Sequence, residues 1–332
     1  MPSRSIPPAN TTAQPSQSVL RHFATKFIAN RSGPLLIALI VYIVVIALIE
    51  PRFLSLYNIR NVMLQVSVAG IVTIGMTLMI ISGQIDLSVG FLVSLAACVM
   101  ATLLNLDMPV VVVVLTGLGL CVSLQALSGF VISRLKLESF IVTLGLMAIY
   151  RGIALLMTNG AEIPLDRKFQ ALGRGRWLEI PIPVFIFLGV CAIAWFILRH
   201  TVFGRQLYAV GENNEAAHLA GVNVLKFKIQ VYALHGLLVG LAAMILMSRI
   251  GVGSPNMAAG LELETIAAAV VGGAALAGGR GTVFGSFLGV LFLGIISNSM
   301  NIIGVSTFWQ YIMLGVVVIG AVIAGSRTKD KS

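Results

Sequence analysis

Charge is scarce in this chain. Acidic and basic side chains make up only 10% of its 332 residues, against about 25% in soluble domains. So few charges cannot clothe a water-soluble protein of this size. With 58% hydrophobic residues and a mean hydropathy of +0.99, lipid is the expected solvent. Cysteine is rarer still: Cys98, Cys121 and Cys191 each sit inside an apolar run, without paired spacing or a neighbouring histidine. That excludes a disulfide framework and a thiolate metal site, and leaves three small buried hydrophobes. The Gly-Lys-Ser/Thr ending of a phosphate-cradling loop is missing, so no nucleotide is held by that route. No nucleophile–base constellation and no metal-ligand set stands out, which makes an enzyme a poor reading. The chain is expected to bind no cofactor and no metal of its own.

Acid is missing from a particular place as well. Every Asp and Glu falls at the end of an apolar run or between runs, and only Arg151 and His235 clearly lie within one. Proton-coupled carriers keep carboxylates inside their spans, where the proton must bind. The absence argues against a stand-alone ion-coupled carrier and places the energy source on another chain.

What remains is a series of apolar runs of the length that crosses a bilayer, about 17–25 residues. Ten are placed: Pro34–Ile49, Val62–Ile81, Leu87–Leu104, Pro109–Ile132, Phe140–Met157, Ile182–Leu198, Phe227–Met247, Leu263–Leu276, Val283–Ile303 and Phe308–Ala324. The eighth is short and dense in glycine, so a tilted or broken helix is expected there. Residues 1–33, rich in Ser, Thr, Pro and Gln, form a cytoplasmic disordered tail rather than a signal peptide. Residues 34–324 form the transmembrane domain, and 325–332 a second cytoplasmic tail. The fold class is all-α and polytopic. Ten spans divide into two fives, and an odd number per half inverts one half against the other, the plan of many transporters. Asp86-Leu87-Ser88 before the third run and Glu262-Leu263-Glu264 at the eighth echo each other across that division.

The net charge of +10 comes without a basic face interleaved with aromatics, so nucleic acid is not an expected partner. Basic residues instead gather in loops beside anionic lipid. With both termini inside, fourteen Lys and Arg face the cytoplasm and seven face outward. Four of the seven fall in Thr158–Pro181 with Glu162, Asp166 and Glu179, a segment that looks like a protein-facing surface. Within the fifth run, Arg151 could snorkel outward or pair with Glu262 or Glu264. His235 reads as an interhelical hydrogen-bonding group. Asp86 reads as a cap on the third helix, accepting from free N–H groups, with a substrate or gating contact as the other possibility. Between the sixth and seventh runs, Asn213-Asn214 can cap a short helix over Glu215-Ala216-Ala217-His218-Leu219-Ala220, with Gly221 as its stop. Such a helix at the inner face is either an ordinary connector or a grip for a soluble partner.

From about Phe53 to Ala324 the chain resembles the ribose-type permeases of bacterial ATP-binding-cassette sugar importers. The resemblance rests on Gly75-Met76-Thr77-Leu78, Ile85-Asp86-Leu87-Ser88-Val89-Gly90, Phe140-Ile141-Val142-Thr143-Leu144 with Arg151-Gly152, and Thr158-Asn159-Gly160. It continues through Gly211 to Gly221, Glu262-Leu263, Ala267 to Gly273, and Leu276-Ala277-Gly278-Gly279-Arg280-Gly281. Gln84 stands where the family commonly has Gly, Phe91 where a small residue is frequent, and Glu264 where Asp is common. The resemblance implies a permease in the bacterial inner membrane that forms the path for a monosaccharide, ribose-like above all. Its implied partners are a second permease copy, membrane lipid, a periplasmic sugar-binding protein, and a separate ATPase that uses ATP and Mg. Gly211, Asn214, Glu215, Ala216, Ala217 and Gly221 match the loop that contacts the ATPase. Asp86, Ser88, Arg151, Asn159, Glu262 and Glu264 are the candidates for pathway or gate.

Overall fold

The computed structural model describes residues 32–165 and 169–326. The expected tails, 1–33 and 325–332, lie almost wholly outside the described residues. Helices dominate, as an apolar chain in lipid must satisfy its backbone groups within each segment. In order they are α1 (Ser32–Ile49), α2 (Leu56–Ile81), α3 (Val89–Asn105), α4 (Val110–Leu135), α5 (Ser139–Thr158) and α6 (Ile182–His200). There follow α7 (Val202–Glu212), α8 (Asn214–Leu219), α9 (Val224–Ile250), α10 (Leu261–Val271), α11 (Val283–Ile303) and α12 (Thr307–Ser326). Among the described residues, six helices are long and apolar enough to cross a membrane, and α1, α3 and α12 carry shorter apolar stretches. Each of the ten expected runs has its helix.

The eighth run is cut shorter than expected, ending at Val271 rather than at Leu276. Gly273, Gly278 and Gly279 all take positive φ, and a side chain at Gly272 would strike the Gly285 carbonyl of α11. The backbones of α10 and α11 therefore approach too closely for the helix to continue with ordinary side chains. The third helix starts two residues late, at Val89, for a reason that belongs to the site below.

The centre of the bundle is α2 beside α9. From Val66 to Ile81 every residue of α2 is buried, while α1, α5 and α12 leave large apolar side chains such as Leu48, Leu156 and Phe308 on the outside. Contacts between helices repeat across the two halves. α9 packs on α3 as α2 packs on α10; α3 on α5 as α10 on α12; α3 on α4 as α10 on α11; and α9 on α4 as α2 on α11. A shift of five spans carries each pair into the other, which is the neighbour pattern that a five-plus-five repeat requires. A buried reciprocal amide pair, Asn58 with Asn298 at 2.9 Å in both directions, ties the start of α2 to α11.

The segment Thr158–Pro181 folds back on the end of α9. Ile163–Pro164 pairs antiparallel with Val252–Gly253, and Arg174 donates to the carbonyls of Arg249 and Ile250. Arg60 of α2 forms an ion pair with Glu179. Arg176, Trp177 and Leu178 are left exposed at its turn. Asp166 lies outside the described residues, as do Arg167 and Lys168.

Candidate functional site

Between α2 and α3 the chain is unwound over residues 82–88, and there the sequence expectation fails. Asp86 does not flank a helix at the membrane surface: its side chain is 0% exposed. Backbone N–H groups set free inside a protein need partners, and α5 supplies them. Ser139 Oγ accepts from Ile85 N and Thr143 Oγ1 from Leu87 N, both at 3.1 Å. The unwound turn is thus held by the first two turns of α5, and the shared occurrence of Ile85-Asp86-Leu87-Ser88 with Phe140 to Leu144 has a contact behind it.

Asp86 accepts from the N–H and hydroxyl of Ser88 through Oδ1, at 2.8 and 2.6 Å. It therefore closes a tight local turn, and Ser88 rather than Asp86 occupies the position just before α3, with no side-chain cap of its own. Oδ2 accepts from Gln125 Nε2 of α4 at 2.5 Å and faces His235 Nε2 of α9 at 3.3 Å. That last contact is at ion-pair distance but off the line of a hydrogen bond. The other imidazole nitrogen presses on Gly75 of α2. Two helices, α4 and α9, and the unwound turn itself converge on one carboxylate. The expectation of a membrane interior without acid is overturned.

At the far end of the unwound turn, three loops meet on glycine. Gly279 N donates to the Ile81 carbonyl at 2.9 Å, and Gly211, near the end of α7, lies directly against both groups. Gly278 rests on the Gly211 carbonyl and beside Gly83. Tyr208 of α7 donates its hydroxyl to the Gly281 carbonyl at 2.8 Å. The end of α2, the end of α7 and the α10–α11 connection are therefore one junction.

From this junction projects α8. Asn213, not Asn214, is its cap, with Oδ1 accepting from Glu215 N and Ala216 N at 2.9 and 3.0 Å. Asn214 is the first helical residue. Gly221 has φ +89°, the left-handed stop that the sequence suggests. Glu215, Ala216 and His218 are exposed and Leu219 is 87% exposed, whereas Ala217 turns inward and is buried. The two alanines face different surroundings: Ala216 is exposed, and Ala217 packs inward and anchors the helix.

Of the other candidates, Glu262 is buried against Gly90 of α3 and accepts from Gly260 N at 3.2 Å. It stands in the α3–α10 contact, the counterpart of Asp86 in the repeat. Arg151 pairs with neither Glu262 nor Glu264 among the described residues; its guanidinium lies over the Phe91 ring at 5.4 Å, because it leaves α5 on the side packed against α3. Asn159 is the left-handed end residue of α5, φ +50°, and is exposed. Glu264 lines a partly open cavity of roughly 340 Å³ between α2, α9, α10, α11 and α12, together with Arg249 and Gln65. Gln65 precedes Ile81 by a span of α2 that rises about 24 Å, so the cavity lies at the end of the bundle away from α8.

Sequence reasoning did not single out Gln125, Ser139 or Thr143 as site residues, nor Gln65 and Arg249. The available signal was a polar side chain inside an apolar run.

Comparison with known proteins matches residues 58–322 to the family described as "Branched-chain amino acid transport system / permease component". The ribose import permease protein RbsC of Escherichia coli (strain K12) is 38% identical over 92% of this chain and 97% of its own length. That of Bacillus subtilis (strain 168) is 36% identical over 89% and 92%. The L-arabinose ABC transporter permease protein AraH of Azospirillum brasilense is 34% identical over 97% and 96%. No solved structure matches.

Proposed function

Because this chain belongs to the family of branched-chain amino acid transport system permease components, and is a transport subunit rather than an enzyme, we propose that it carries a monosaccharide, ribose or arabinose, across the bacterial inner membrane. The observation that carries this reading is the likeness to ribose and arabinose permeases along nearly the full length of both chains. The family description names amino acids, but these relatives are named for sugars. A cavity of roughly 340 Å³ whose mostly apolar lining carries several polar side chains is at the small end of the roughly 300–1,000 Å³ of small-molecule sites, which suits a single sugar ring.

Energy comes from a partner ATPase that binds ATP and Mg and grips α8, and both termini face it. A periplasmic binding protein delivers sugar at the opposite end, over the segment Thr158–Pro181. A second copy of the permease and the surrounding lipid cover the apolar outer faces of α1, α5 and α12. The buried Asp86 does not revive the ion-coupled carrier. Its two oxygens are already committed to Ser88, Gln125 and His235, so it holds the unwound turn together.

The test is reconstitution in liposomes with an ATPase and a binding protein that co-purify with it. ATP-dependent uptake of labelled D-ribose or L-arabinose, and none of L-leucine, is expected. Uptake by this chain alone on a proton or sodium gradient would overturn the reading.

A further inference from the structure

We propose that the cavity between α2, α9, α10, α11 and α12 is a transient subsite for a neutral polyol. This rests on the monosaccharide reading above and gives it a place in the fold. Seven polar side chains line the cavity, distributed over all five of its walls: Gln65 on α2, Arg249 on α9, Glu264 on α10, Ser297 on α11, and Thr307, Gln310 and Tyr311 on α12. A sugar carries hydroxyls around its whole ring, each both donor and acceptor, and a ring of mixed donors and acceptors matches that distribution.

The charge of the wall points the same way. One cation, Arg249, and one anion, Glu264, line the same space, and among the described residues they form no ion pair with each other or with any other side chain. With one basic and one acidic side chain in the lining, neither a lone anion nor a lone cation has an unopposed partner there. A neutral ligand can accept from one and donate to the other.

Part of the site is held in advance. Ser297 Oγ and Gln310 Oε1 share a hydrogen bond of 3.1 Å, and Gln310 Nε2 donates to Asn301 Oδ1 at 2.6 Å. The amide is thereby fixed while keeping a further donor for the ligand. Tyr311 offers a ring face on which the C–H face of a sugar can lie. Apolar residues such as Val68, Leu293 and Leu314 fill the remainder, so polar contacts are few, and a transported solute must also leave.

The test uses the complete importer in liposomes, with Ser297→Cys introduced beside Cys191→Ser; the other two cysteines are buried. Met300→Cys, on the same wall, replaces the first variant if that assembles poorly. Uptake of labelled D-ribose and the rate of maleimide modification at the new cysteine are measured together. At D-ribose twice the site's dissociation constant, simple occupancy slows modification about threefold, and L-leucine leaves it unchanged. Glu264→Gln, which removes a charge-assisted hydrogen bond, weakens the D-ribose affinity read from protection about tenfold, so that at the same D-ribose concentration protection nearly vanishes, and it slows uptake. Normal D-ribose uptake with modification equally fast in its presence and absence overturns the subsite and leaves the cargo reading standing. Uptake of L-leucine but not of either pentose overturns the cargo reading and the ligand class with it.

Discussion

Gly211→Ala places one methyl group where three chain segments touch, and it asks whether the glycine junction transmits motion from α8. A β-carbon built at Gly211 falls inside the Ile81 carbonyl oxygen and lies 2.7 Å from Gly279 N and 2.8 Å from the Ile81 carbonyl carbon. The atoms it meets are backbone, so no rotamer change relieves the overlap. Either α7 moves away or the Gly279–Ile81 hydrogen bond breaks. Overpacking of this kind costs about 1–3 kcal/mol, and the lost hydrogen bond about 1 kcal/mol more. Gly221→Ala is the control. Its φ of +89° is strained for alanine, but nothing lies within 4 Å, so only the left-handed backbone penalty of about 1–2 kcal/mol applies. If the junction links α8 to the unwound turn, Gly211→Ala should reduce stimulation of ATP hydrolysis by the loaded binding protein. A coupling free energy of about 1–3 kcal/mol corresponds to about 5–150-fold. Gly221→Ala should do much less, and Gly221→Val more than Gly221→Ala. The assays are stimulated hydrolysis in liposomes and the melting temperature of the purified complex. Wild-type stimulation and an unchanged melting temperature in Gly211→Ala would refute the junction as a lever.

Asp86→Asn leaves His235, Gln125 and Ser88 without a charged acceptor, whereas His235→Leu leaves the carboxylate two of its partners; removing one member of a buried pair costs about 3–5 kcal/mol. Folded yield in detergent should fall further for Asp86→Asn, and equal yields would count against the carboxylate as the organising group. Arg151→Leu should retain normal abundance and transport, since among the described residues the guanidinium forms no ion pair and lies over the Phe91 ring of α3; a large loss of uptake at normal abundance would return it to the pathway. Arg176→Glu, on the exposed turn of Thr158–Pro181, should weaken docking of the binding protein most at low salt, and an affinity unchanged between low and moderate salt would remove that turn from the interface.

The ten spans are legible in the sequence because a membrane helix satisfies its own backbone, so a run of apolar residues is both the cause and the whole of the local signal. The helix α8 is legible for the same reason: the cap at Asn213 and the stop at Gly221 act within a few residues of each other. Asp86 is a different case. An acid beside an apolar run reads as a helix end in water, and only Ser139 and Thr143, more than fifty positions away, turn that end into a buried turn. The polar residues that do this are individually ordinary, since Ser and Thr in a membrane helix can bond their own backbone, as Thr143 also does with the Ser139 carbonyl. The glycines around residue 279 are equally ambiguous. Taken along the chain they mark a loop, and only the approach of Gly211 from α7 shows that they are small because another backbone passes there. What the sequence conceals is therefore concentrated where segments distant in the chain share one hydrogen bond. In this permease those places lie at the two ends of the unwound turn between α2 and α3.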